Sequence, residues 1–322
     1  MSPEVRHRQL GRGDALLTFS RSVAPSLQTL RVHSSASGAL GALKTALPQV
    51  SLSLLTAIDL HLELNHAQDL AVCCDLASLF RPLLLQCTSL SLSCPPMTGG
   101  HRVMESFCYD GGALWAPHLT SLTLIEPTLD MVGFLATLGD SAPSLASLKV
   151  GLASDTVALS RGSGLGDTVG ALVASLRRSR LVYLGIDAVA SHPFMPAKER
   201  RASHEGALDL IRASSSLETV ALSLYDHDMA AVFATLPPSL HSLELAWKGT
   251  GNYADDEYLV RMWQALLGWL ETGASHSLRR LSVAQSPSYD GALIRKQLNV
   301  HRLCVRRGIV LRSDECIGAV IA

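Results

Sequence analysis

The chain has 322 residues and a formal net charge of −1, with 17% charged and 5% aromatic residues. That balance offers no electrostatic basis for binding nucleic acid or an anionic membrane, and no run approaches the ~18 uninterrupted apolar residues of a membrane span. The seven cysteines are an odd number at spacings that form no framework, which points to a reduced compartment, cytosol or nucleus, rather than a disulfide scaffold.

Taken in order, Met1 to His7 has no apolar core of a secretory signal. Residues 14–24 carry Leu16, Leu17, Phe19 and Val23 at helical spacing and lead into the phrase Pro25-Ser26-Leu27-Gln28-Thr29-Leu30-Arg31-Val32. The phrase returns with its proline at Pro117 to Leu124, Pro143 to Val150 and Pro238 to Leu245. Without the proline its three apolar positions recur at Leu55/Ile58/Leu60, Cys87/Leu90/Leu92, Leu181/Leu184/Ile186, Leu217/Val220/Leu222 and Leu278/Leu281/Val283. The nine copies start 28, 32, 32, 26, 36, 36, 23 and 38 residues apart.

The last two apolar positions of each copy alternate with small or polar residues, the mark of a strand with one buried face. Strands are therefore predicted near 29–33, 57–61, 89–93, 121–125, 147–151, 183–187, 219–224, 242–246 and 280–284, with a closing strand at 309–312. A strand this short buries its face only when neighbours stack on both sides. Helical spacing between the strands predicts helices over 66–80, 129–138, 167–177, 205–212, 228–236, 255–271 and 289–307. Asp167 is expected to cap the third of these, an acidic first turn (Asp255, Asp256, Glu257) to open the sixth, and Gly308 to close the last. Three stretches exceed what a repeat needs and are expected to be long loops: 94–102, 152–166 and 188–204.

These copies resemble the leucine-rich repeat family over about residues 16–312. Where that family's commonest consensus carries Asn or Cys, three residues past the last apolar position, no copy here does. The chain is thus similar to the irregular, long-repeat branch, as in the repeat regions of F-box leucine-rich-repeat proteins and ribonuclease inhibitors. The resemblance implies one right-handed α/β solenoid over 1–322, a horseshoe of nine or ten repeats with a parallel concave sheet and convex helices. It implies a non-enzymatic scaffold, monomeric by itself, that binds a protein partner on the concave face or rim. A narrower reading is the substrate receptor of a ubiquitin ligase, although the 26 residues before the first copy are too short to hold an F-box. The reading from another class is an enzyme with its site in the loops at 152–166 or 188–204.

No pattern of catalytic or cofactor chemistry stands out. Gly162-Ser163-Gly164-Leu165-Gly166 lacks the spacing and the immediately preceding strand of a dinucleotide loop. His61-x-Glu63-x-x-His66 does not put two histidines one helical turn apart, and Cys73-Cys74 falls within an apolar helix stripe. No cofactor and no metal is expected. Aligned copies do place His33 and His61 side by side, where two imidazoles could bind a metal or sense pH, although two solvated histidines are the plainer reading.

The same alignment predicts the outward face of the sheet. Of its 27 positions, 17 are Ser, Thr, Ala or Gly; the charged or His positions are Arg31, His33, Asp59, His61, Lys149, Asp187, Glu244 and Arg280. Tyr183 and Ile125 complete it, with Tyr225, Trp247 and Lys248 on the rim. The partner-binding candidates are Arg31, Asp59, His61, Lys149, Tyr183, Asp187, Tyr225, Glu244, Trp247 and Arg280, since hot spots favour Tyr, Trp and Arg. Arg31 and Asp59 are expected to face each other on adjacent strands. Arg200-Arg201-Ala202-Ser203 and Arg279-Arg280-Leu281-Ser282 both resemble a basophilic kinase motif. Ser203 in a loop is the expected target, and Ser282 in a strand is not.

Overall fold

A computed structural model of the protein describes residues 27–34, 52–62, 82–93, 116–125, 132–151, 164–177, 179–188, 197–224, 228–246, 254–284 and 291–313. Several repeats open on a tight turn just before their first leucine. The N–H groups of Leu55, Leu119, Leu145, Leu240 and Leu278 donate to the carbonyls of Leu52, Ala116, Ala142, Pro237 and Ser275, three residues back. Pro117, Pro143 and Pro238 take the second position of such turns, where a fixed φ is already correct and no N–H is needed. The proline of the repeat is thereby explained. The serine just before the first leucine has a task too in three repeats. Ser144, Ser216 and Ser239 donate their hydroxyls to the carbonyls of Pro117, Leu181 and Leu217, each in the preceding repeat.

One residue before each strand, a single carbonyl accepts two consecutive N–H groups from the next repeat. Gln28 takes Thr56 and Ala57, Thr56 takes Thr88 and Ser89, and the pattern runs on to His241, which takes Arg279 and Arg280; at the last strand Arg279 takes Val310 alone. In the early repeats the threonine hydroxyls add a parallel chain, from Thr56 to Gln28, Thr88 to Thr56 and Thr120 to Thr88. These bonds fix the register before the strands begin.

The strands are β1 (Thr29–Ser34), β2 (Ala57–Leu62), β3 (Ser89–Ser93), β4 (Ser121–Ile125), β5 (Ser147–Gly151), β6 (Tyr183–Ala188), β7 (Thr219–Leu224), β8 (Ser242–Ala246), β9 (Arg280–Ala284) and β10 (Val310–Ser313). They form one ten-stranded, all-parallel sheet in strictly sequential order. Equivalent repeat positions pair throughout, so that Leu30, Ile58, Leu90, Leu122, Leu148, Leu184, Val220, Leu243, Leu281 and Leu311 make one row. From Ile58 to Leu281 that row is buried. The nine predicted strand ranges match within one residue, and the closing strand runs one residue later than expected.

Helices α1 (Val132–Ser141), α2 (Gly164–Leu176), α3 (Ala197–Ala213), α4 (Met229–Thr235), α5 (Ala254–Glu271) and α6 (Gly291–Arg307) connect the later strands. Each packs against the next, and their apolar residues join the strand leucines in a single core cluster. Within it Phe233 and Trp269 stack with ring centroids 5.7 Å apart. Helices α1 and α2 approach each other closely at Gly139, whose N–H donates to the Ser175 hydroxyl. A Cβ there would sit 2.6 Å from the Ser175 carbonyl oxygen. Helix α6 ends as expected at Gly308, with φ 68°. The Ile309 N–H reaches back to the Cys304 carbonyl there, a left-handed C-cap. Arg307 binds the carbonyl and hydroxyl of Ser275 and the Leu270 carbonyl, fastening α6 to the end of α5.

Three expectations need correction. Helix α3 begins at Ala197, so 197–204 is helical rather than part of a long loop. Helix α2 begins at Gly164, which takes 164–166 out of the second expected loop and places Asp167 inside the first turn rather than at the cap. Ser203 accordingly lies within a helix and not in a loop, so the expected contrast of loop and strand with Ser282 does not hold. The helices expected over 14–24 and 66–80, the loop at 94–102 and Cys73-Cys74 lie outside the described residues. No helix among the described residues is long and apolar enough to cross a membrane.

Candidate functional site

With second and fourth strand positions turned to the core, the first, third and fifth share the opposite face. The third positions, in strand order, are Arg31, Asp59, Ser91, Thr123, Lys149, Gly185, Ala221, Glu244, Ser282 and Arg312. At one end Arg31 and Asp59 are register partners, with Nε and Oδ2 3.8 Å apart and side chains 64% and 34% exposed. They face each other as expected. A pair so open to water is worth only about 0–1 kcal/mol.

The middle of the face is built differently. Tyr183 opens β6 and its ring runs along the strand across Gly185. A Cβ on Gly185 would stand 3.2 Å from the Tyr183 hydroxyl, 3.3 Å from its Cε1 and 3.1 Å from Cγ of Lys149 on β5. Ring and lysine stem therefore occupy the room that a side chain at 185 would take. A glycine inside a strand weakens it unless something needs the space. Beyond β6 the floor stays low at Ala221 and rises again at Glu244 on β8. Lys149 and Glu244 are both exposed. Burial, and then the negative charge of Glu244, raises the Tyr183 pKa, so the phenol is a neutral donor at neutral pH.

Lys149 and Glu244 stand three strands apart, about 14 Å between backbones at the usual strand spacing. Among the described residues neither forms an ion pair, in contrast to Arg31 and Asp59. Asp187 ends the same β6 row beyond Gly185 and is half-buried. Arg280, one strand past Glu244, is exposed.

The structure thus brings Lys149, Tyr183, Asp187 and Glu244 into one patch, with Arg31 and Asp59 apart from it. His33 and His61 are register partners along the backbone, but their side chains, like all of Tyr225, Trp247 and Lys248, lie outside the described residues. Gly185 is the residue that sequence reasoning did not single out. The signal was a glycine at a strand position flanked by apolar neighbours, Leu184 and Ile186. Ser242 was expected to be open and is buried at 7% exposure, flanked in register by the larger Thr219 and Arg280.

No cluster of three or more His, Cys, Asp or Glu placed to hold a metal occurs among the described residues. Burial pushes the Cys87 thiol up to about 11 and Cys304 to about 11 as well, the latter against the opposing pull of Arg307. Thiols held that high stay protonated at neutral pH and make poor nucleophiles. No protein-family model matches the chain, and a search of curated proteins finds no match.

Proposed function

We propose that the chain is a right-handed leucine-rich-repeat solenoid, curved into a horseshoe, and that it works as a non-enzymatic scaffold binding a protein partner on its open sheet face. The observation that carries this reading is the exposed pair Lys149 and Glu244 on either side of Tyr183, neither in an ion pair among the described residues, on a stretch of the face floored by Gly185 and Ala221. Sequential parallel strands with a common register are the arrangement a stacked repeat needs. Right-handed crossovers are the strong rule for parallel strands in one sheet. An active site gathers ionisable groups on one reacting atom; here they stand strands apart, which suits a broad contact. Free, buried Cys87 and Cys304 agree with a reducing compartment such as the cytosol or nucleus.

Affinity purification with mass spectrometry tests this when three chains are compared. Wild type and a control, Arg302→Glu on the exposed surface of α6, should recover the same partners. The double variant Lys149→Glu, Glu244→Lys should lose them. Equal recovery by all three would remove the sheet face from the account.

A further inference from the structure

We propose that residues 314–322 turn back from β10 over the outer flank of α6 and seat Val320 and Ile321 on Ile294 and Leu298, closing the last repeat. A solenoid repeat buries one flank on the repeat before it and offers the other to the repeat after it. On α6 the two flanks can be told apart. Leu293, Gln297, Val300 and Cys304 are buried toward the core. Lys296 donates to the Gln264 side chain on α5, and Arg307 binds Leu270 and Ser275 at the end of α5. Positions 296, 303 and 307 therefore mark the side that faces α5. Positions 294, 298, 301 and 305 run at helical spacing along the other side. That side carries Ile294, Leu298 and His301, all partly exposed, and Val305, which is 65% exposed. β10 stands last in the sheet and its Leu311 is only partly covered, whereas its row is buried from Ile58 to Leu281. Among the described residues no element packs beyond α6 and β10. The last repeat thus leaves apolar surface where a solenoid needs a cap with a polar outer face.

Charge and reach select the occupant. Every charged residue from Gly291 to Ser313 is a cation; Asp290 is the nearest acid before them, and Asp314 and Glu315 are the first after. Arg295, Arg302 and Arg306 on α6 and Arg312 on β10 are exposed, and among the described residues none is in an ion pair. A second copy meeting this flank about a two-fold axis would bring like charges together. The residues that continue from β10 have the complementary make-up, two acids followed by Ile317, Val320 and Ile321. The link from β7 to α4 shows that four residues suffice to cross from a strand end to the start of a helix. The same crossing after Ser313 brings 318–322 to the first turns of α6, where Ile294 and Leu298 stand. This flank belongs to the helix side of the last repeat and is separate from the open sheet face.

A photoreactive phenylalanine at Leu298, in the purified full chain, reads the contact directly. Irradiation should join it to residues 318–322 of the same chain, and the same probe at the exposed Arg177 after α2 should not. Val320→Asp together with Ile321→Asp should cut that adduct about tenfold, the loss of two apolar contacts. In the same double variant without the probe, amides of α6 should exchange hydrogen faster while those of α1 and α2 keep their rates. Circular dichroism confirms that each variant is folded; should the probe at 298 prevent folding, hydrogen exchange decides alone. An adduct joining two chains, an adduct elsewhere in the chain, or no adduct would each overturn the proposal. So would an adduct, or an exchange rate in α6, that the double variant leaves unchanged.

Discussion

Leu122, Leu148 and Leu243 occupy one row of the sheet and have no exposed surface. Truncating any of them to alanine should cost about 2–5 kcal/mol, measured by denaturant unfolding. Ser121 and Ser147, one residue earlier and partly exposed, should accept alanine within about 0.5 kcal/mol. Ser242 leaves that tolerant set because it is buried. Glycines in helices divide in the same way. Gly139→Ala drives a methyl into the Ser175 carbonyl and should destabilise by about 1–3 kcal/mol. Gly170→Ala meets nothing within 4 Å and should stabilise by roughly 0.5–1 kcal/mol. The same direction of effect for both would refute the close approach of α1 and α2. The buried thiols add a pH dependence. Their pKa values rise from 9.0 to about 11 on folding, so the unfolded chain loses these protons first. Their contribution is complete below about pH 9 and is lost as pH climbs to about 11. Replacing Cys87 and Cys304 by alanine should flatten the fall in unfolding free energy across that window.

At the scale of elements, strands were far more legible than helices. A strand declares itself by alternation, and the phrase Leu-x-x-Leu-x-Leu carries both the turn that precedes it and the alternation that follows. Each predicted strand therefore appeared in place. Helix starts were harder to see. Lys198-Glu199-Arg200-Arg201 falls in a stretch longer than a repeat needs, which suggests a loop, yet Ala, Lys, Glu and Arg are strong helix formers. The polar run is the opening of α3, not the absence of a helix. The two glycines at 164 and 166 hid the first turn of α2 in the opposite sense, through low propensity that the packing of α2 on α1 and α3 overrides. Caps behave as local chemistry dictates. Asp228 precedes α4 and its carboxylate accepts the N–H groups of Ala230 and Ala231. Asp228→Ala should cost about 1 kcal/mol, and Asp228→Asn much less. Equal losses for the two, by thermal unfolding, would show that the charge matters rather than the capping bond.

For the molecule as a whole, the shared register turns nine similar phrases into rows that cross the entire sheet. Alignment of the copies was enough to place Lys149, Tyr183 and Glu244 on one face, because period-2 geometry leaves no other choice. It could not show that the Tyr183 ring crosses Gly185 against the Lys149 stem, since that depends on rotamers and on a missing side chain. The same packing makes Gly185 a sensitive position. Gly185→Ala places a methyl 3.1–3.3 Å from that stem and ring, which must give way, so partner binding should weaken while the thermal transition stays nearly unchanged. The central claim, that this face meets the partner, is tested most directly by a photoreactive phenylalanine at Ala221, between Tyr183 and Glu244, compared with one at the exposed Arg302 on α6. Irradiation should attach a protein partner at 221, with the adduct lost in the Tyr183→Ala background and no matching adduct at 302. A partner attached at 302 and not at 221 would contradict the account.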